Sequence, residues 1–311
     1  MKKLIELVIP AYNEEACVEE LVSRLKKVFA MENKYTFQVF IIENGSTDST
    51  LDKLKKISKQ DSRFITIKLS RNFRMDGGLT AGLQLLSGDA AILMTADLQD
   101  PPELIPSFIR EWENGWENIY GVVTERQGIN PIRAINSKLF YLIAGKLTDG
   151  RIPRNASDFR LVDRKVYETV RDMTERNRFV RGLFAWVGFK SLGLPMKRPP
   201  RFGGESNAHT LKVLDLAFKG IFAHSYVPLR LITIFGIGLS SISLIAIFPL
   251  FLLWVSRGVP FAGFGAIITL FLFTIGILSL MLGILSEYVG LVYEEVKARP
   301  NFVISEIIKI K

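Results

Sequence analysis

Residues 92–103, ILMTADLQDPPE, decide the fold of this chain. The apolar residues 90–93 predict a short buried strand, because the run is too short for a helix and is followed by an Asp/Pro stop. Asp97 and Gln99 come directly after it, and the two prolines at 101–102 prevent the strand from continuing. In open α/β sheets, ligands bind beyond the carboxyl ends of the strands. A carboxylate and an amide oxygen there suit a divalent cation, and a capped turn before a helix is the alternative.

The composition separates a basic body from an apolar tail. The 311 residues, enough for about two domains, are 48% hydrophobic and carry a formal net charge of +9. The apolar excess lies after residue 228, and most of the positive charge lies before it. Such a body suits nucleic acid, anionic lipid or phosphorylated substrates, and the apolar tail favours a lipid surface. The single cysteine, Cys17, excludes an internal disulfide and a cysteine-based metal site, which fits a reducing compartment.

The first hundred residues alternate between strand-like and helix-like stretches. Short apolar runs predict strands, and apolar residues at helical spacing predict the helices between them. The strands are expected at residues 4–9, 37–42, 64–69 and 90–93, and the helices at 18–29, at 49–59, from 77 onward and at 103–113. This order predicts a mostly parallel α/β sheet with right-handed crossovers. Polar side chains follow the first, second and fourth strands, where a nucleotide would lie.

The middle of the chain is expected to meet a membrane surface. Residues 118–123 predict a further strand that leads to Arg126. Residues 132–147 mix apolar and basic positions and suit a helix lying on a membrane, with an ordinary surface helix as the alternative. Residues 208–228 are expected to form a second interfacial helix, and residues 197–205 an irregular loop rich in Pro, Gly and Arg.

Two long stretches without charge follow residue 228. Residues 231–255 and 259–286 carry no charged side chain over 25 and 28 positions. At about 1.5 Å per residue, either stretch can cross roughly 30 Å of hydrocarbon. We expect two transmembrane helices, at about 231–255 and 261–286, within a membrane region at 229–290.

The charges around these stretches predict their orientation. Only Arg257 lies between the two spans, whereas many basic residues precede them and several follow. The positive-inside rule predicts that the body (1–228), the tail (291–311) and both termini are cytoplasmic, in a multi-pass protein of the cell membrane. No signal peptide is expected, because the N-terminal Met-Lys-Lys precedes only a short strand-like run.

With these elements in order, the chain resembles the family-two glycosyltransferases with a GT-A fold, and within them the polyprenyl-phosphate branch, which includes bactoprenol glucosyltransferases and dolichol-phosphate mannosyltransferase. The motifs are PAYNEE at 10–15, GSTDST at 45–50, DLQDPPE at 97–103, SDFRLVDR at 157–164, RFGGES at 201–206, PLRL at 228–231 and SEYVGLVYEEVKAR at 286–299. Each motif is weak alone, but seven in order before and after two apolar stretches are a strong signal. The resemblance implies that residues 1–228 form the GT-A domain.

The resemblance also implies roles for individual residues. Asp97 and Gln99 match metal ligands that hold Mg²⁺ or Mn²⁺ on a diphosphate, and Asp158 matches a proposed catalytic base. The nucleotide-binding positions are Pro10, Tyr12, Glu14, Asn44, Thr95 and Asp97. The positions that bind the acceptor phosphate or the diphosphate are Arg126, Arg133, Ser137, Arg160, Arg201 and Ser206. For Asp158, an ion pair with Arg160 or Arg164 is the purely structural alternative.

The chain departs from the family pattern in three places. Glu43-Asn44 stands where the family usually has Asp-Asp, and Thr95 stands where it has the first carboxylate of Asp-Ala-Asp. Asn207 replaces a common lysine. Because Asn44 still offers a donor and an acceptor and Thr95 a hydroxyl, we expect altered nucleotide affinity or preference with the chemistry retained.

The function implied by the resemblance is the inverting transfer of one sugar, with UDP-glucose or another UDP-hexose favoured as donor, to undecaprenyl or another polyprenyl phosphate. The expected partners are membrane lipid, further copies of the chain (a tetramer among the assemblies) and a downstream flippase; nucleic acid is not expected, because no reading motif occurs. A processive polysaccharide synthase is an alternative, disfavoured because the chain has no Arg-Trp dipeptide. A non-catalytic nucleotide-sugar sensor is another, motivated by Asn44 and Thr95 but opposed by the retention of Asp97, Gln99 and Asp158.

Overall fold

The computed structural model describes residues 2–126, 155–199 and 263–310, with Phe202, Leu229, 232–238, 241–242, Ile245, Leu252 and Ser256. Its strands are β1 (Leu4–Ala11), β2 (Thr36–Glu43), β3 (Phe64–Leu69), β4 (Ala90–Leu93), β5 (Asn118–Arg126), β6 (Ala156–Asp163), β7 (Ser191–Arg198) and β8 (Ile304–Ile308). Its helices are α1 (Val18–Met31), α2 (Thr50–Gln60), α3 (Arg74–Leu83), α4 (Ile105–Glu113), α5 (Arg164–Asp172), α6 (Val180–Trp186) and α7 (Phe264–Lys297).

The eight strands form one sheet in the order β7-β5-β6-β4-β1-β2-β3-β8. The pairs β1–β2, β1–β4, β2–β3 and β5–β7 are parallel, as the alternation of strands and helices predicts. Strand β6 runs antiparallel to both β4 and β5, and β8 runs antiparallel to β3. The prediction of a mostly parallel α/β sheet is therefore confirmed, with two strands that run against the rest.

The order of the strands reverses at β1. The chain moves from β1 to β2 and β3 on one side and then returns to place β4 on the other side of β1. Pairing between β1 and β4 ends at Val8 and Leu93, while β1 continues beside β2 as far as Ala11. The sheet therefore opens beyond Val8 and Leu93, at a switch point of the kind where α/β proteins bind their ligands.

Side chains on the two faces of the sheet form two buried clusters. Alternate residues of β1 point to opposite faces, so that Ile5, Leu7 and Ile9 join one cluster and Val8 joins the other. Helices α1, α2 and α4 cover the first face, and α3, α5 and α6 cover the second. Gly82 lets α3 lie close to the sheet, because a Cβ there would fall 2.1 Å from Cγ1 of Val8.

The local elements differ from the sequence-based expectation in three places. The helix predicted at 103–113 begins as a 3-10 turn, Pro102–Leu104, and becomes α-helical at Ile105. The first two residues of the loop expected at 197–205 belong to β7, which pairs with β5 along its whole length. The motif SDFRLVDR, to which no element was assigned, forms most of β6.

Among the residues that the structure describes, the C-terminal part contains one helix that is long and apolar enough to cross a membrane, at Phe273–Lys297. The helix that contains it, α7, covers 34 residues and ends 11 residues beyond the predicted end of the second span at 286. The second predicted span, at 261–286, thus overlaps α7. The first, at 231–255, lies largely outside the described residues. Two spans are not confirmed.

After α7 the chain returns to the sheet. The backbone N–H of Ser70 donates to Val303 O (2.9 Å), and β8 then pairs with β3. Oε1 of Glu295 accepts hydrogen bonds from the backbone N–H groups of Arg176 (2.7 Å) and Asn177 (3.3 Å). The segment expected to be a plain tail therefore forms the outer strand of the sheet.

Candidate active site

The turns that follow β1 and β2 are tied to each other. Asn13 has a φ of +55°, and its backbone N–H donates to Ser46 Oγ (3.1 Å) while its Oδ1 accepts from the N–H of Thr47 (2.9 Å). The N–H of Glu14 donates to Thr50 Oγ1 (2.9 Å). The side chain of a short amide suits a left-handed backbone because it can bond locally. The PAYNEE turn, predicted to bind nucleotide, is thereby fixed against the GSTDST turn.

Asn44 links the end of β2 to the loop before α3. Its Oδ1 accepts from the N–H of Phe73 (2.9 Å), and its Nδ2 donates to Arg74 O (2.8 Å). The loop passes close to Gly45, where a Cβ would lie 2.7 Å from the carbonyl carbon of Arg71 and where φ is +73°. The amide that was predicted to meet the base of a nucleotide is thus engaged by the protein backbone, and its contact with a base stays a prediction.

We refer to these two connections, the one from Asn13 to Thr47 and the one from Asn44 to Arg74, as the strand-end turns. Pro10 belongs to this region as the residue before the last of β1, and Tyr12 follows that strand as a half-buried side chain. Gly78 on α3 lies against Pro10, since a Cβ at Gly78 would come within 3.0 Å of the proline Cβ. All of the predicted nucleotide-binding residues thus stand at the open edge of the sheet.

The turn after β4 carries the predicted metal ligands. Leu98 has a φ of +59°, a conformation that costs an L-residue of this kind about 1–3 kcal/mol. Oδ1 of Asp97, a buried carboxylate, accepts from Thr95 Oγ1 (2.7 Å) and from the N–H of Gln99 (3.2 Å). Nε2 of Gln99 lies 3.5 Å from Pro199 O. The strained backbone thus places Asp97 and Gln99 on one turn at the open edge, as the sequence predicted.

The carboxylate of Asp100 stabilises this turn through contacts with Thr95. Its carboxylate is fully buried, and burial raises its pKa despite the nearby Arg198 guanidinium and the hydrogen bonds from Thr95. Oδ2 accepts from the N–H of Thr95 (3.0 Å) and lies 2.8 Å from the Thr95 hydroxyl, while Oδ1 accepts from Ser157 Oγ (3.2 Å). One carboxylate therefore connects the Asp97 turn to the beginning of β6.

Pairing between β4 and β6 brings Asp158 to the same edge. Leu93, the last residue of β4, pairs with Arg160, so Asp158 and Ser157 extend beyond the end of β4. They lie beside the turn that carries Asp97, and Ser157 touches Asp100 directly. The antiparallel strand is the reason why Asp97 and Asp158, which are 61 positions apart in the sequence, lie at one site.

Asp158 forms a two-point ion pair with Arg181 of α6. Nε of Arg181 lies 2.9 Å from Oδ1, and Nη2 lies 2.5 Å from Oδ2. Burial raises the pKa of Asp158, but Arg181, with further contributions from Arg160 and Arg198, outweighs burial and leaves the pKa below its ordinary value. The ion-pair partner is Arg181, and not Arg160 or Arg164 as the structural alternative proposed.

We call Arg160, Arg181 and Arg198 the arginine cluster. The buried Arg160 donates through Nη2 to Ser157 O (3.1 Å), and its guanidinium lies 4.9 Å from the ring centre of Phe184. Burial lowers the pKa of Arg160 to about 10, so it remains cationic at neutral pH. Three cations therefore act on the single carboxylate of Asp158.

Asp76, on α3, faces the same pair. Its Oδ1 accepts from the N–H of Val180 (3.0 Å), at the start of α6. Burial raises the pKa of Asp76 to about 6, and the charge of Asp158 adds to this effect while Arg181 and Arg178 oppose it. Asp76 thus joins the helix that follows the strand-end turns to the helix that carries Arg181.

Several predicted residues cannot be placed in this geometry. Arg133, Ser137, Arg201 and Ser206 lie outside the described residues, as do the interfacial helices expected at 132–147 and 208–228 and the side chain of Arg126. Within the described ranges, no group of three or more His, Cys, Asp or Glu side chains comes together to hold a metal ion.

Sequence reasoning assigned no role to several residues of the site, among them Asp100, Arg181 and Asp76. Asp100 was inside the quoted motif DLQDPPE, where its neighbours Pro101 and Pro102 suggested a turn and no role was assigned to it. Arg181 lies in a run of charged and aromatic residues at 176–182, which signals an unusual environment but gives no partner. Asp76 had no signal, because an acidic residue in the first turn of a helix is ordinary.

The family model for glycosyl transferase family 2 matches residues 6–171 of the chain. An uncharacterized glycosyltransferase of Synechocystis sp. is 38% identical over 303 residues, covering 97% of this chain and 95% of that protein. The prophage-derived bactoprenol glucosyl transferase of Shigella flexneri is 32% identical, with 97% of each chain covered. The prophage bactoprenol glucosyl transferase homolog of Escherichia coli is 31% identical, over 98% of this chain and 99% of its own length.

Among solved structures, the chain is similar to glucosyl-3-phosphoglycerate synthase from Mycobacterium tuberculosis. That structure contains Mn²⁺, UDP and phosphoglyceric acid; the TM-score is 0.51 and the identity 14%, over 71% of this chain and 76% of that one. At this identity the likeness concerns the fold. It agrees with the mostly parallel α/β sheet described above.

Proposed function

The chain belongs to glycosyl transferase family 2, and we propose that it transfers one sugar from a nucleotide-sugar to a polyprenyl phosphate at the membrane. The favoured donor is UDP-glucose or another UDP-hexose, and the favoured acceptor is undecaprenyl phosphate. Two relatives that match almost the whole chain are named as a bactoprenol glucosyl transferase and a homolog of one. Their similarity extends through the apolar C-terminal region, which supports an acceptor that resides in a membrane.

The observation that carries the proposal is the meeting of Asp97 and Asp158 at one edge of the sheet. Asp97 stands at the switch point beside β1, where the predicted nucleotide-binding residues converge. Asp158 stands beyond β4 with the arginine cluster around it. A site with a metal-binding carboxylate on one side and guanidinium groups on the other suits a reaction in which both substrates carry phosphate.

The side chains at the β4 turn fit a divalent cation. Carboxylate, amide and hydroxyl oxygens are hard ligands of the type that Mg²⁺ and Mn²⁺ accept, and Mg²⁺ commonly binds through one or two carboxylates plus substrate phosphates. Asp97 and Gln99 would hold the ion, with the donor diphosphate completing its coordination. When bound, the ion would neutralise negative charge that develops on the leaving diphosphate.

The reaction we propose is a single displacement. An oxygen of the acceptor phosphate attacks C1 of the sugar, a new C1–O bond forms, and the C1–O bond to the nucleoside diphosphate breaks. The departing diphosphate keeps the electron pair, and the anomeric centre is inverted. A phosphate monoester has a second pKa of about 6 and is largely dianionic at pH 7, so the acceptor needs positioning more than deprotonation. Asp158 would orient the site or take a residual proton.

The return of the chain to the sheet supports a two-span anchor. Because β8 pairs with β3, the body and the C-terminal strand lie on the same side of any membrane that α7 crosses. The chain between them must then cross an even number of times. The uncharged residues 231–255 are long enough for the other crossing, and the charge distribution favours a cytoplasmic body and cytoplasmic termini.

The proposal is tested with purified full-length protein in detergent. Undecaprenyl phosphate, Mg²⁺ or Mn²⁺ and one radiolabelled UDP- or GDP-sugar at a time are mixed with the enzyme, and label extracted into organic solvent is counted. We expect one sugar to be transferred, and only when lipid phosphate and metal ion are both present. The anomeric configuration of the product, read by NMR coupling, should be inverted relative to the donor.

Two controls separate the parts of this proposal. Dolichyl phosphate and an uncharged polyprenol replace the acceptor in parallel reactions, and the uncharged alcohol should receive no sugar. Transfer to the alcohol would contradict the role of the acceptor phosphate. No transfer from any donor, with nucleotide binding intact, would favour a nucleotide-sugar sensor.

A further inference from the structure

The ion pair between Asp158 and Arg181 remains open to solvent. Both carboxylate oxygens are engaged, by Nε at 2.9 Å and by Nη2 at 2.5 Å. The side chains nevertheless keep 23% and 26% of their surface exposed. Two contacts with Asp158 thus fix the orientation of the Arg181 guanidinium, and its exposed surface remains accessible to a ligand.

Further charged groups surround this pair, and they include the cations Arg160 and Arg198 and the carboxylates Asp76 and Asp100. Arg160 and Arg198 act on Asp158 in addition to Arg181, and the charges of Arg160 and Arg181 also repel each other. Nε of Arg198 is buried, and it has no hydrogen-bond partner among the residues that the structure describes. A buried donor without an acceptor is costly.

The chemistry of the acceptor leaves little for a base at Asp158 to do. A dianionic phosphate carries no proton that must be removed before it attacks. A carboxylate whose pKa lies below its ordinary range is also a weak proton acceptor at neutral pH. A guanidinium fixed at the same position, by contrast, matches the geometry of phosphate oxygens.

We propose that Arg181 is a further phosphate-binding residue of the transfer reaction, and that Asp158 acts through it by holding its guanidinium in position. This inference rests on the proposed function in one respect, namely that both substrates carry phosphate. The phosphate could belong to the lipid acceptor or to the diphosphate of the donor. Arg181 lies on α6, which packs on the second face of the sheet, whereas Ala96 and Leu98 beside Asp97 belong to the cluster on the first face.

The test is a double-mutant cycle with full-length protein. Arg181→Gln, Asp158→Asn and the combined variant are compared with the wild type in kcat, in KM for undecaprenyl phosphate and in KM for the nucleotide-sugar. We expect each single variant to lose about 10²-fold in kcat/KM, as for the loss of one preorganised charge-stabilising donor. Because one residue acts through the other, the double variant should lose no more than about threefold beyond the worse single variant.

The source of the phosphate follows from which affinity changes. A raised KM for the lipid places the acceptor phosphate at Arg181, and weaker binding of UDP with Mn²⁺, measured by calorimetry without lipid, places the donor diphosphate there. A matched control is Arg63→Gln, which breaks an equivalent two-point pair with Asp61 (2.9 and 2.7 Å) at the start of β3. That variant should leave both affinities unchanged.

The pH profile separates positioning from proton transfer. If Asp158 acts through Arg181, the acidic limb of kcat/KM near pH 6, where the acceptor phosphate and Asp76 both titrate, persists in Asp158→Asn. Loss of that limb in Asp158→Asn would overturn the inference. So would losses in kcat/KM of the two single variants that multiply in the double variant. If Arg181→Gln unfolds at a much lower temperature than the wild type, Arg181→Lys replaces it in the test. Lysine keeps the positive charge but cannot form two parallel hydrogen bonds, so this variant must still change the affinity for lipid phosphate or for UDP.

A failure of the acceptor assignment would look different. If the wild-type enzyme transfers no sugar to lipid phosphate, the proposed acceptor is contradicted. UDP binding by the Arg181 variants still tests whether Arg181 binds the diphosphate of the donor. The role of Arg181 alone is contradicted if the wild-type enzyme is active, the losses in kcat/KM of the two single variants multiply in the double variant, and the affinities for lipid phosphate and for UDP are unchanged.

Discussion

The two sides of the site are held together by different kinds of contact. In the strand-end turns, the side chains of Asn13 and Asn44 make neutral hydrogen bonds to the backbone, and the carboxylates of Glu43 and Asp48 accept further bonds from backbone N–H groups. The side that contains Asp158 is fixed by charges, because Arg181 on α6 forms an ion pair with the carboxylate of Asp158 on β6. The first side belongs to the parallel strands β1–β3, and the second to the antiparallel strand β6 and the helices after it.

This difference has physical consequences. Neutral hydrogen bonds keep their strength as pH changes, and each contributes about 0.5–1.5 kcal/mol net. Charge pairs near a low-dielectric interior are stronger but depend on pH and on every neighbouring charge. The contacts of Asn13 and Asn44 should therefore change little with pH, and the Asp158 side should respond to pH and to bound phosphate.

The largest effect is expected from Asp97→Ala, which removes the carboxylate at the boundary between the two sides. Transfer should fall by about 10³-fold or more, since a metal ion contributes several kcal/mol of charge stabilisation. The measurement is the rate of lipid labelling against Mn²⁺ concentration, with thermal unfolding as a check on folding. Asp52→Asn, an exposed carboxylate on α2, is the control. Unchanged turnover in Asp97→Ala would refute the metal assignment.

Asp100→Ala should affect both the Asp97 turn and the beginning of β6, because this carboxylate contacts Thr95 in the turn and Ser157 in the strand. We expect the free energy of unfolding to fall by about 1–3 kcal/mol from the orphaned donors. The affinity for Mn²⁺ should fall about 10–100-fold, as for the loss of a group that orients a metal ligand. Thermal unfolding and Mn²⁺ binding measured by electron paramagnetic resonance report the two effects.

The comparison for Asp100 is the shape-matched variant Asp100→Asn, which can still accept from Ser157 Oγ. It should retain more stability than Asp100→Ala. Equal Mn²⁺ affinity in the wild type and in folded Asp100→Ala would mean that Asp100 supports the fold without orienting the metal ligand.

Asn44→Asp tests the rigidity of the strand-end turns. An ionised carboxylate only accepts hydrogen bonds, so it would keep the bond from Phe73 N–H but place an oxygen against Arg74 O, now 2.8 Å from Nδ2. We expect a loss of about 1–3 kcal/mol in stability and about tenfold in nucleotide affinity. Calorimetric titration with UDP-sugar checks the second effect. Tighter binding would show instead that Asn44 weakens a site which the family's usual Asp would improve.

Asp76→Asn should have the smallest effect, and only at certain pH values. The pKa of Asp76 is raised from 3.8 to about 6, so the folded protein holds its proton more tightly than the unfolded chain. Its ionisation therefore costs stability, and the wild type should lose stability relative to Asp76→Asn as pH rises from about 4 to about 6. Asp158, Arg181 and Arg178 set this shift together with burial.

The measurement for Asp76 is the difference in Tm between the two proteins across this pH range. A change of about 1 kcal/mol corresponds to about 2–4 °C in a domain of this size. Asn at 76 can still accept from Val180 N–H, so the hydrogen bond at α6 is kept. A Tm difference that stays constant from pH 4 to 6 would contradict the raised pKa.

The sequence by itself determined the parallel half of the sheet and the identity of the turns at its edge. Strand periodicity, Gly/Ser/Asp turns and the Asp-x-Gln-Asp-Pro-Pro stop are local signals, because they depend on backbone geometry within a few residues. For that reason residues 90–93 coincide with β4 and the turn carrying Asp97 lies where it was expected. The apolar composition after residue 228 likewise anticipated a membrane-length helix, since the length needed is a matter of simple geometry.

Only the tertiary structure decided how β6, α6 and β8 complete the site and the sheet. The partner of Asp158 is 23 residues away on a helix whose position depends on packing against α3 and α5. The pairing of β8 with β3 joins residues more than 230 positions apart. Such contacts are fixed by the sum of burial and charge over the whole domain, and neither quantity can be computed from the spacing of residues along the chain.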